Sequence, residues 1–503
     1  MPGVDLTRLP VVVGAAQRTN RDEDPRSAPD PFALMEEAAR AAAADAGVAG
    51  GSLADLTHCF MVHSLSLRHG DPAPELARRL GAPGAVARCS GMGGSIPQWL
   101  VNRAAEIVAG GGQPRVLVVG AEALATRRRA RKAGITLDWP SAEGWPDTWP
   151  PIEPDVGVHA SERAHGLVQA TTMYALLETT LAHAAGRDPA AQAAVMGELM
   201  DRFNAVAAAN PLSWFPTRRD AHEIMTVTPD NRMISFPYPK YVNAVMDVDM
   251  AAAVVVTDAA SARAAGLGPD EVAYLSGWAD AHDLWYVSQR PVLHRSPALA
   301  ACARRALGSA RIAMDDVDAF DLYACFPSSV EVARDTFGVG ATDPRPITLT
   351  GGLPYHGGPG SNYVTHAIAN ALHYLRSGRG EHVLVHGNGY YLTKHSVGLY
   401  SRRPPAAAPV PPDGLQEEVD ALASPLEVAE RAGAGEPGAL VAYTVPYDRE
   451  AGPGAALGIV EAGGRRLVAR GDEALSAALV TCDGVGSAVT LDPGDDGNVM
   501  HGA

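Results

Sequence analysis

The chain is poor in cysteine and has no spacing typical of metal ligands. Its five cysteines are widely separated: Cys59, Cys89, Cys302, Cys325 and Cys482. No two of them form a CxxC pair, and none stands with histidine at zinc-ligand spacing, so we predict neither a disulfide framework nor a metal site. A few dispersed cysteines are typical of a reducing compartment, and we therefore expect a cytoplasmic protein.

The sequence also lacks long apolar runs and a positive net charge. No apolar stretch reaches the roughly 20 residues needed to cross a bilayer, and the polar start before Pro10–Ala16 is unlike a secretory signal. The net charge of −16 over 503 residues argues against nucleic acid or an anionic membrane as the main partner. A hydrophobic content of 47% indicates a soluble globular chain with several domains.

One basic segment departs from this acidic character. Arg127–Lys132 carries five positive charges in six residues. The segment fits the solvated face of a surface helix. It also fits a site for a polyanion such as a nucleotide phosphate, because guanidinium groups bind phosphate in a bidentate manner. Arg127, Arg128 and Arg131 are the candidate ligand-binding residues.

Glycine and proline are concentrated in the stretch 349–366, which holds five glycines and two prolines ahead of a helical pattern. A glycine-rich turn lets another group approach the backbone closely. The helix start that follows offers unpaired N–H donors and the positive end of a dipole. The stretch therefore suits a carbonyl oxygen or a phosphate, with a purely structural turn as the alternative.

Strand and helix patterns occur twice in the same order. A capping pair opens a helix at Asp30-Pro31 and again, 266 residues later, at Ser296-Pro297. An apolar strand at Arg115–Gly120 returns 267 residues later at His382–Gly387. Alternating strands and helices predict an α/β fold with a mainly parallel, buried sheet. The matching offsets indicate an internal duplication.

The glycine-rich turns are duplicated as well. Ser90–Ser95, hereafter the first turn, precedes the helical segment 95–109. His356–Ser361, hereafter the second turn, precedes the helical segment 361–375. A duplication predicts that both helix starts face one shared site across a pseudo-twofold axis.

The organisation along the chain follows from this duplication and from shifts in composition. Short β-patterns after about residue 437 predict a small antiparallel barrel, whose last residues, from Pro493, are expected to fray. The predicted units are an N-terminal half (1–123 and 231–265), an inserted loop domain (124–230), a C-terminal half (266–402), a proline-rich extended linker (403–436) and a C-terminal β-domain (437–503).

Several phrases resemble the thiolase superfamily, and some resemble the thiolase-like proteins of type 1 more narrowly. Those proteins are often labelled acetyl-CoA acetyltransferases and carry an added C-terminal domain. The phrases similar to the superfamily are Val11–Arg18, Gly120–Glu122 and Asn243–Ala253. Those similar to the type 1 proteins are Asn231–Lys240, Gly351–His366 and Gly387–His395.

The resemblance implies a five-layered αβαβα fold in two similar halves, with an inserted loop domain that binds coenzyme A. It implies chemistry on an acyl thioester, with no metal and no tightly bound cofactor. It also implies that the C-terminal β-domain is OB-like, the fused counterpart of the small OB-fold partner used by thiolase-like aldolases. Thiolases are usually dimers or tetramers, but the extra domain is able to block association, so both a homo-oligomer and a monomer stay open.

The principal thiolase groups are missing at the matching positions. The nucleophilic cysteine falls on Gly93, the activating histidine on Gly358, and the second cysteine on Val385. The loop that binds the thioester oxygen reads Tyr323–Phe326. Glycine and valine supply neither a thiolate nor a base, so we predict that conventional thiolase chemistry is absent.

Other side chains near these positions are candidates to act instead. Cys325 has a small apolar wall as its alternative role, a buried histidine is often a satisfied core group, and for Lys394-His395 we favour solvent or structural roles. The catalytic candidates are Tyr323, Cys325, His356 and His366. The candidate substrate or oxyanion positions are Gly93, Gly94, Gly357, Gly358, Asn388 and Gly389.

Three functions stay open from the sequence. The first is an acyl-CoA-dependent protein of acyltransferase type with altered chemistry. The second is retro-aldol cleavage of a 3-hydroxyacyl-CoA, which needs a base and an oxyanion site but no cysteine. The third is a non-catalytic protein that binds acyl-CoA.

Overall fold

In a computed structural model, which describes residues 5–151 and 157–502, the chain forms a nine-stranded sheet covered by helices and a separate small barrel. The outermost ends of the predicted units, residues 1–4 and 503, lie outside the described residues, as does 152–156 of the predicted insertion. No helix in the described ranges is long and apolar enough to cross a membrane. Within the same ranges, no group of three or more His, Cys, Asp or Glu side chains is placed to hold a metal ion.

The strands and helices are numbered along the chain. The strands are β1 (Pro10–Thr19), β2 (His58–Met61), β3 (Val86–Cys89), β4 (Val116–Ala123), β5 (Met233–Ser235), β6 (Tyr238–Pro239), β7 (Asp249–Asp258), β8 (Ala273–His282), β9 (Ala319–Asp321), β10 (His382–Gly389), β11 (Lys394–Ser401), β12 (Val428–Ala429), β13 (Glu436–Thr444), β14 (Tyr447–Asp448), β15 (Gly452–Pro453), β16 (Leu457–Ala462), β17 (Arg465–Gly471), β18 (Ala488–Gly494) and β19 (Gly497–Gly502). The helices are α1 (Pro31–Asp45), α2 (Pro72–Arg79), α3 (Ile96–Ala109), α4 (Leu124–Ala133), α5 (Ala160–Ala164), α6 (Ala170–Ala184), α7 (Pro189–Ala209), α8 (Ala221–Met225), α9 (Ala259–Ala264), α10 (Pro297–Ala310), α11 (Pro327–Phe337), α12 (Tyr363–Arg376), α13 (Leu415–Leu422) and α14 (Glu473–Leu479).

The large sheet repeats one arrangement on both sides of its middle. Its order is β3-β2-β4-β7-β1-β8-β11-β10-β9. Reading outward from the β1–β8 junction, β1, β7, β4 and β2 correspond to β8, β11, β10 and β9. The two sides join through a short ladder in which Val11 pairs with Tyr274 and Val12 with Ala273. The helices α3 and α12, which follow the first and second turns, contact each other and pack on strands of both sides.

The prediction of a mainly parallel sheet is wrong. The parallel pairs are β2–β3, β2–β4 and β9–β10, and the remaining neighbours are antiparallel. The short connection 390–393 between β10 and β11 forces a hairpin, because parallel strands need a long crossover. The apolar runs of these strands reflect burial on both faces and carry no information about direction.

The C-terminal strands close into a barrel. β13, β16, β17, β19 and β18 form a ring that the parallel β17–β19 pair completes. The expected fraying after Pro493 is wrong, because β19 pairs with two strands and buries Asn498 and Met500. The barrel packs on the insertion through His165, whose Nε2 accepts a hydrogen bond of 2.8 Å from the Asn498 backbone N–H.

The segment predicted as an extended linker, 403–436, is partly folded. It contains α13 and β12. Leu415 and Val419 of α13 are buried against the C-terminal half. The Gln416 side chain accepts a hydrogen bond of 2.8 Å from the His282 backbone N–H at the end of β8. The run of prolines ends at Pro412, so its stiffness does not extend to the residues that follow.

Candidate functional site

The first turn brings the chain from β3 into α3. Gly93 has a φ of 132°, in the left-handed region that favours glycine. Pro97 stands in the first turn of α3, where its missing N–H costs no helical hydrogen bond. The backbone N–H of Gly93 donates to Ser361 Oγ of the second turn over 3.0 Å. The two turns are therefore in direct contact, as the duplication predicts.

The Tyr323 hydroxyl occupies the space beside Gly94. A Cβ on Gly94 would lie 2.1 Å from the Tyr323 hydroxyl oxygen and 2.5 Å from the Asn388 carbonyl oxygen. Burial raises the pKa of Tyr323 well above its usual value, so the phenol stays a protonated donor. Glycine is the one residue that leaves room for this hydroxyl against the backbone at the start of α3.

The Asn388 side chain lies next to the Cys325 thiol. The Asn388 Nδ2 donates to the Tyr174 hydroxyl over 2.8 Å and to Ser329 Oγ over 3.2 Å, and it lies 3.9 Å from Cys325 Sγ. Burial raises the pKa of Cys325 to about 12. The thiol is therefore protonated at neutral pH and lies in an apolar, hydrogen-bonded layer.

The loop between β10 and β11 holds two bulky residues in the left-handed region. Tyr390 has a φ of 56° and Leu392 a φ of 52°. Such conformations cost free energy and persist where surrounding contacts hold them. Arg290 donates to the carbonyl oxygens of Tyr391 (2.9 Å) and Leu392 (3.2 Å), and the Tyr174 hydroxyl donates to the Tyr390 carbonyl oxygen over 2.7 Å. These hydrogen bonds fix the conformation of the loop. The loop in turn sets the position of the first residue of β11.

That residue is Lys394, for which the sequence favours a solvent or structural role. Its Nζ donates to the Met92 carbonyl oxygen over 3.3 Å and lies 5.5 Å from the centre of the Tyr390 ring. The same Nζ lies 3.7 Å from the position that a Cβ on Gly93 would take. Lys394 lines a cavity of about 430 Å³, hereafter the lysine cavity. Burial lowers the pKa of Lys394 to about 8.

The histidine candidates lie elsewhere. His356 and His366 are both 0% exposed. His356 Nε2 lies 3.4 Å from His366 Nδ1, which in turn lies 2.9 Å from Gln17 Oε1. Burial lowers the pKa of His356 to about 3, and that of His366 also falls well below its usual value. Both rings are therefore neutral at pH 7, and a catalytic role for either one stays a prediction.

The glycines of the second turn are enclosed by packed side chains. A Cβ on Gly357 would lie 2.9 Å from Met250 Sδ, and one on Gly358 would lie 2.9 Å from Leu353 Cδ2. The Gly358 backbone N–H is already satisfied by the carbonyl oxygen of Val245 at 2.8 Å. The structure thus gathers Gly93, Gly94, Tyr323, Cys325, Asn388 and Gly389 around the start of α3. It places the second turn beside them without a comparable opening.

The basic segment forms α4, and its arginines have different surroundings. Arg127 lines a cavity of about 700 Å³, hereafter the arginine cavity. Arg68, His69 and Trp145 line the same cavity, and Trp145 is 85% exposed. Met92 of the first turn also lines it, so the arginine cavity reaches the turn that precedes α3.

The other two arginines lie outside this cavity. The Arg128 Nε lies 3.3 Å from Asp247 Oδ2 in an ion pair whose two side chains are largely exposed. Arg131 is exposed on the same helix. An exposed ion pair contributes little stability, so the pair of Arg128 with Asp247 has little weight in holding the fold.

Comparison with solved structures finds a full-length relative and more distant proteins of the same fold. Among models of protein families and among curated protein sequences, none matches this chain. Two solved structures share the fold at low identity, each covering 99% of its own chain. An Ltp2–ChsH2(DUF35) aldolase is 17% identical over 79% of this chain with a TM-score of 0.56. An acetyl-CoA acetyltransferase from Syntrophomonas wolfei is 14% identical over 78% with a TM-score of 0.55.

The full-length relative is a monomeric SCP2-thiolase-like protein type 1 from Mycobacterium smegmatis. It is 33% identical, 100% of each chain is covered, and the TM-score is 0.84. This likeness confirms the thiolase-like α/β fold that the sequence resemblance predicts. The chain therefore belongs to the SCP2-thiolase-like protein type 1 family of the thiolase superfamily.

Proposed function

We propose that the protein binds acyl-CoA thioesters with the thioester carbonyl at the start of α3, and that it does not use the Cys/His/Cys chemistry of a conventional thiolase. The observation that carries this proposal is the environment of Gly94. The Tyr323 hydroxyl lies where a side chain on Gly94 would be, so a hydrogen-bond donor stands at a helix start. Such a start suits a carbonyl oxygen that gains negative charge.

The surrounding thiols do not replace the missing nucleophile. Cys325 and Cys89 are both buried, and burial raises the pKa of each thiol to about 12. At pH 7 about one such thiol in 100,000 is ionised, so attack on a thioester is suppressed. Acyl transfer through a cysteine is therefore not part of the proposal.

The arginine cavity supplies a place for the nucleotide end of coenzyme A. Arg127 and Arg68 provide guanidinium groups for phosphate oxygens, and the exposed Trp145 ring provides a surface for adenine. Met92 belongs both to the lining of this cavity and to the first turn, so in this proposal a thioester that extends from the bound nucleotide would lie near Gly93 and Gly94. Arg128 and Arg131 lie outside the cavity, and we assign them at most a long-range attraction for phosphate.

Retro-aldol cleavage of a 3-hydroxyacyl-CoA is the second candidate function. The neutral Tyr323 phenol favours it, because a donor at the thioester oxygen stabilises the enolate that cleavage releases, and no thiol is needed. The barrel supports the same interpretation. Its ring order β13-β16-β17-β19-β18, with α14 between β17 and β18, is compatible with an OB-like domain fused to the thiolase-like halves.

The first test is calorimetric titration with coenzyme A and a series of acyl-CoA thioesters. We expect Arg127→Ala to weaken binding about tenfold, the usual effect of losing one charge-assisted phosphate contact. The matched variant Arg131→Ala removes a charge from the same helix outside the cavity and is expected to bind like the unmodified protein. Equal loss in both variants, or no binding to either protein, would contradict the placement of the nucleotide.

The second test is mass spectrometry of each thioester after incubation with the protein. An intact ligand across the series supports a binding protein. Appearance of an aldehyde or ketone with a shortened thioester supports retro-aldol cleavage. Thiolysis of acetoacetyl-CoA that is abolished by thiol alkylation would overturn the absence of thiolase chemistry.

A further inference from the structure

Lysine is scarce in this chain, and one lysine lies in a cavity. Among the 41 basic residues are 38 arginines and three lysines, Lys132, Lys240 and Lys394. Lys132 and Lys240 are exposed, whereas Lys394 is half-buried and lines the lysine cavity. An arginine stays protonated in proteins, but a lysine is able to release its proton and become a nucleophile. Lys394 is therefore chemically distinct from the basic residues around it.

Burial of Lys394 favours the neutral amine and outweighs the opposing attraction of the Asp280 carboxylate for the ammonium form. Its Nζ makes one hydrogen bond, to the Met92 carbonyl oxygen, and no ion pair joins it to a carboxylate in the described chain. With a pKa of about 8, about one amine in ten is neutral at pH 7. For an ordinary exposed lysine the fraction is about three in 10,000. Removal of water from a lysine is a recognised way to activate it toward carbonyl compounds.

The lining of the lysine cavity determines which compounds it admits. The Trp99 and Trp285 side chains form apolar walls. Besides Lys394, the charged and titratable groups that line the cavity come from α3, β8, the loop 390–393, β11 and the segment 412–417: Arg103, Glu106, Asp280, His282, Tyr390, His395, Asp413 and Glu417. Four carboxyl groups against one guanidinium group disfavour an anionic ligand such as a nucleotide. The cavity suits an uncharged molecule with an apolar substituent.

Two of these carboxyl groups, Asp280 and Glu106, line the cavity beside Arg103, which forms an ion pair with each of them. Burial raises the pKa of both Asp280 and Glu106. A carboxyl group of raised pKa keeps its proton to a higher pH than an exposed one, so each of the two is a candidate proton donor for the amine's reaction. Asp280 also bonds Asn102 and Arg103, over 2.9 Å each, which holds its carboxyl in place.

We propose that Lys394 is a reactive amine that forms a Schiff base with an uncharged aldehyde or ketone bound in the lysine cavity. The Nζ lone pair attacks the carbonyl carbon, and a proton passes from nitrogen to the former carbonyl oxygen to give a carbinolamine. A second proton, supplied by a carboxyl group of the cavity, converts the hydroxyl into water. Water leaves as the C=N bond forms, and no electron is gained or lost. The step involves no thioester, so it stands independently of coenzyme A binding.

The test uses the whole protein, an apolar aldehyde such as benzaldehyde, and sodium borohydride. Borohydride donates hydride to the C=N bond and converts it into a stable secondary amine, which peptide mass spectrometry locates. We expect Lys394 to be labelled at least tenfold more than Lys132 or Lys240, because Lys394 lies in the cavity that binds the aldehyde and about one of its amines in ten is neutral at pH 7. With glyoxylate, an anionic aldehyde, we expect the preferred labelling of Lys394 to disappear.

Two controls make the result decisive. Lys394→Arg keeps the positive charge but is unable to form an imine, so the preferred label disappears, whereas Lys132→Arg keeps it. The comparison among the three lysines of the unmodified protein needs no variant, and labelling in concentrated guanidinium chloride shows whether the preference depends on the fold. Equal labelling of all three lysines in the folded protein, or a preference that survives unfolding, would overturn the proposal.

Discussion

The first and second turns are products of one repeated pattern, yet they have different surroundings. At the first turn, the Tyr323 hydroxyl lies against Gly94, Met92 lines the arginine cavity and Ser95 lines the lysine cavity. At the second turn, Met250 and Leu353 crowd the glycines. The backbone pattern is thus similar, while the side chains packed on it decide whether a helix start is accessible. A glycine-rich helix start does not by itself indicate a binding site.

The titratable side chains beside the two turns differ in the same way. His356 belongs to the second turn and bonds His366 inside the core, where burial holds both rings neutral. Lys394 stands beside the first turn and lines a cavity. The two predicted histidine candidates therefore lie on the closed side of the duplicated pair, and the lysine that sequence reasoning set aside lies on the open side.

The largest expected effect concerns acid stability and the closed side. In the unfolded chain a histidine binds a proton near pH 6.5, whereas folded His356 has a pKa of about 3. Below pH 6.5 the unfolded state thus binds more protons, and the free energy of unfolding falls as pH drops from 6.5 toward 3. The loss is about 1.4 kcal/mol per pH unit for each such histidine. Urea unfolding of His356→Gln between pH 7 and pH 4 is expected to show a shallower decline.

The matched control for this prediction is the exposed His222. His222→Gln removes a histidine without changing the buried pair, so the pH dependence is expected to equal that of the unmodified protein. If His356→Gln shows the same pH dependence of the unfolding free energy as the unmodified protein, the buried pair does not take up protons on unfolding. The two turns would then not differ in the protonation of their side chains.

A smaller effect tests the open side directly. Gly94→Ala places a methyl group 2.1 Å from the Tyr323 hydroxyl, so the phenol or the α3 start has to move. We expect a loss of about 1–3 kcal/mol in unfolding free energy, as for overpacked cores, together with weaker acyl-CoA binding. Chemical denaturation and calorimetry measure the two effects.

Gly308→Ala in α10 is the control for this substitution. Apart from its chain neighbours and its own helix backbone, no heavy atom of the described residues lies within 4 Å of its Cβ position. Alanine also favours the helix, so stability is expected to rise by about 0.5–1 kcal/mol. If Gly94→Ala unfolds like the unmodified protein and binds acyl-CoA equally well, the close approach of Tyr323 to Gly94 contributes neither to stability nor to binding.

The smallest effect concerns the bond that links the turns. Ser361→Ala removes the oxygen that accepts the Gly93 backbone N–H, and we expect a loss of about 0.5–1.5 kcal/mol. The exposed Ser141→Ala is expected to stay within about 0.5 kcal/mol of the unmodified protein. Thermal unfolding of both variants compares them, and an equal effect would mean that the turns are held together by packing alone.

Local chemistry explains which parts of the fold were predictable from the sequence. The Asp30 side chain accepts from the backbone N–H groups of Phe32 and Ala33, and Ser296 Oγ accepts from Leu299, as their capping patterns predict. The barrel end was not predictable in this way. Gly497–Gly502 has a weak strand pattern of its own and becomes ordered because two neighbouring strands are available to pair with it.

Sequence alone determined the repeated pattern of this protein and its two glycine-rich helix starts, because these depend on residue type and spacing. The absence of the thiolase groups at Gly93, Gly358 and Val385 stays a prediction that follows from the family resemblance. The tertiary structure decided which helix start is open. It also decided that a lysine lies beside that start, because a strained loop held by Arg290 and Tyr174 positions Lys394. Such contacts join residues more than a hundred positions apart, and no local pattern records them.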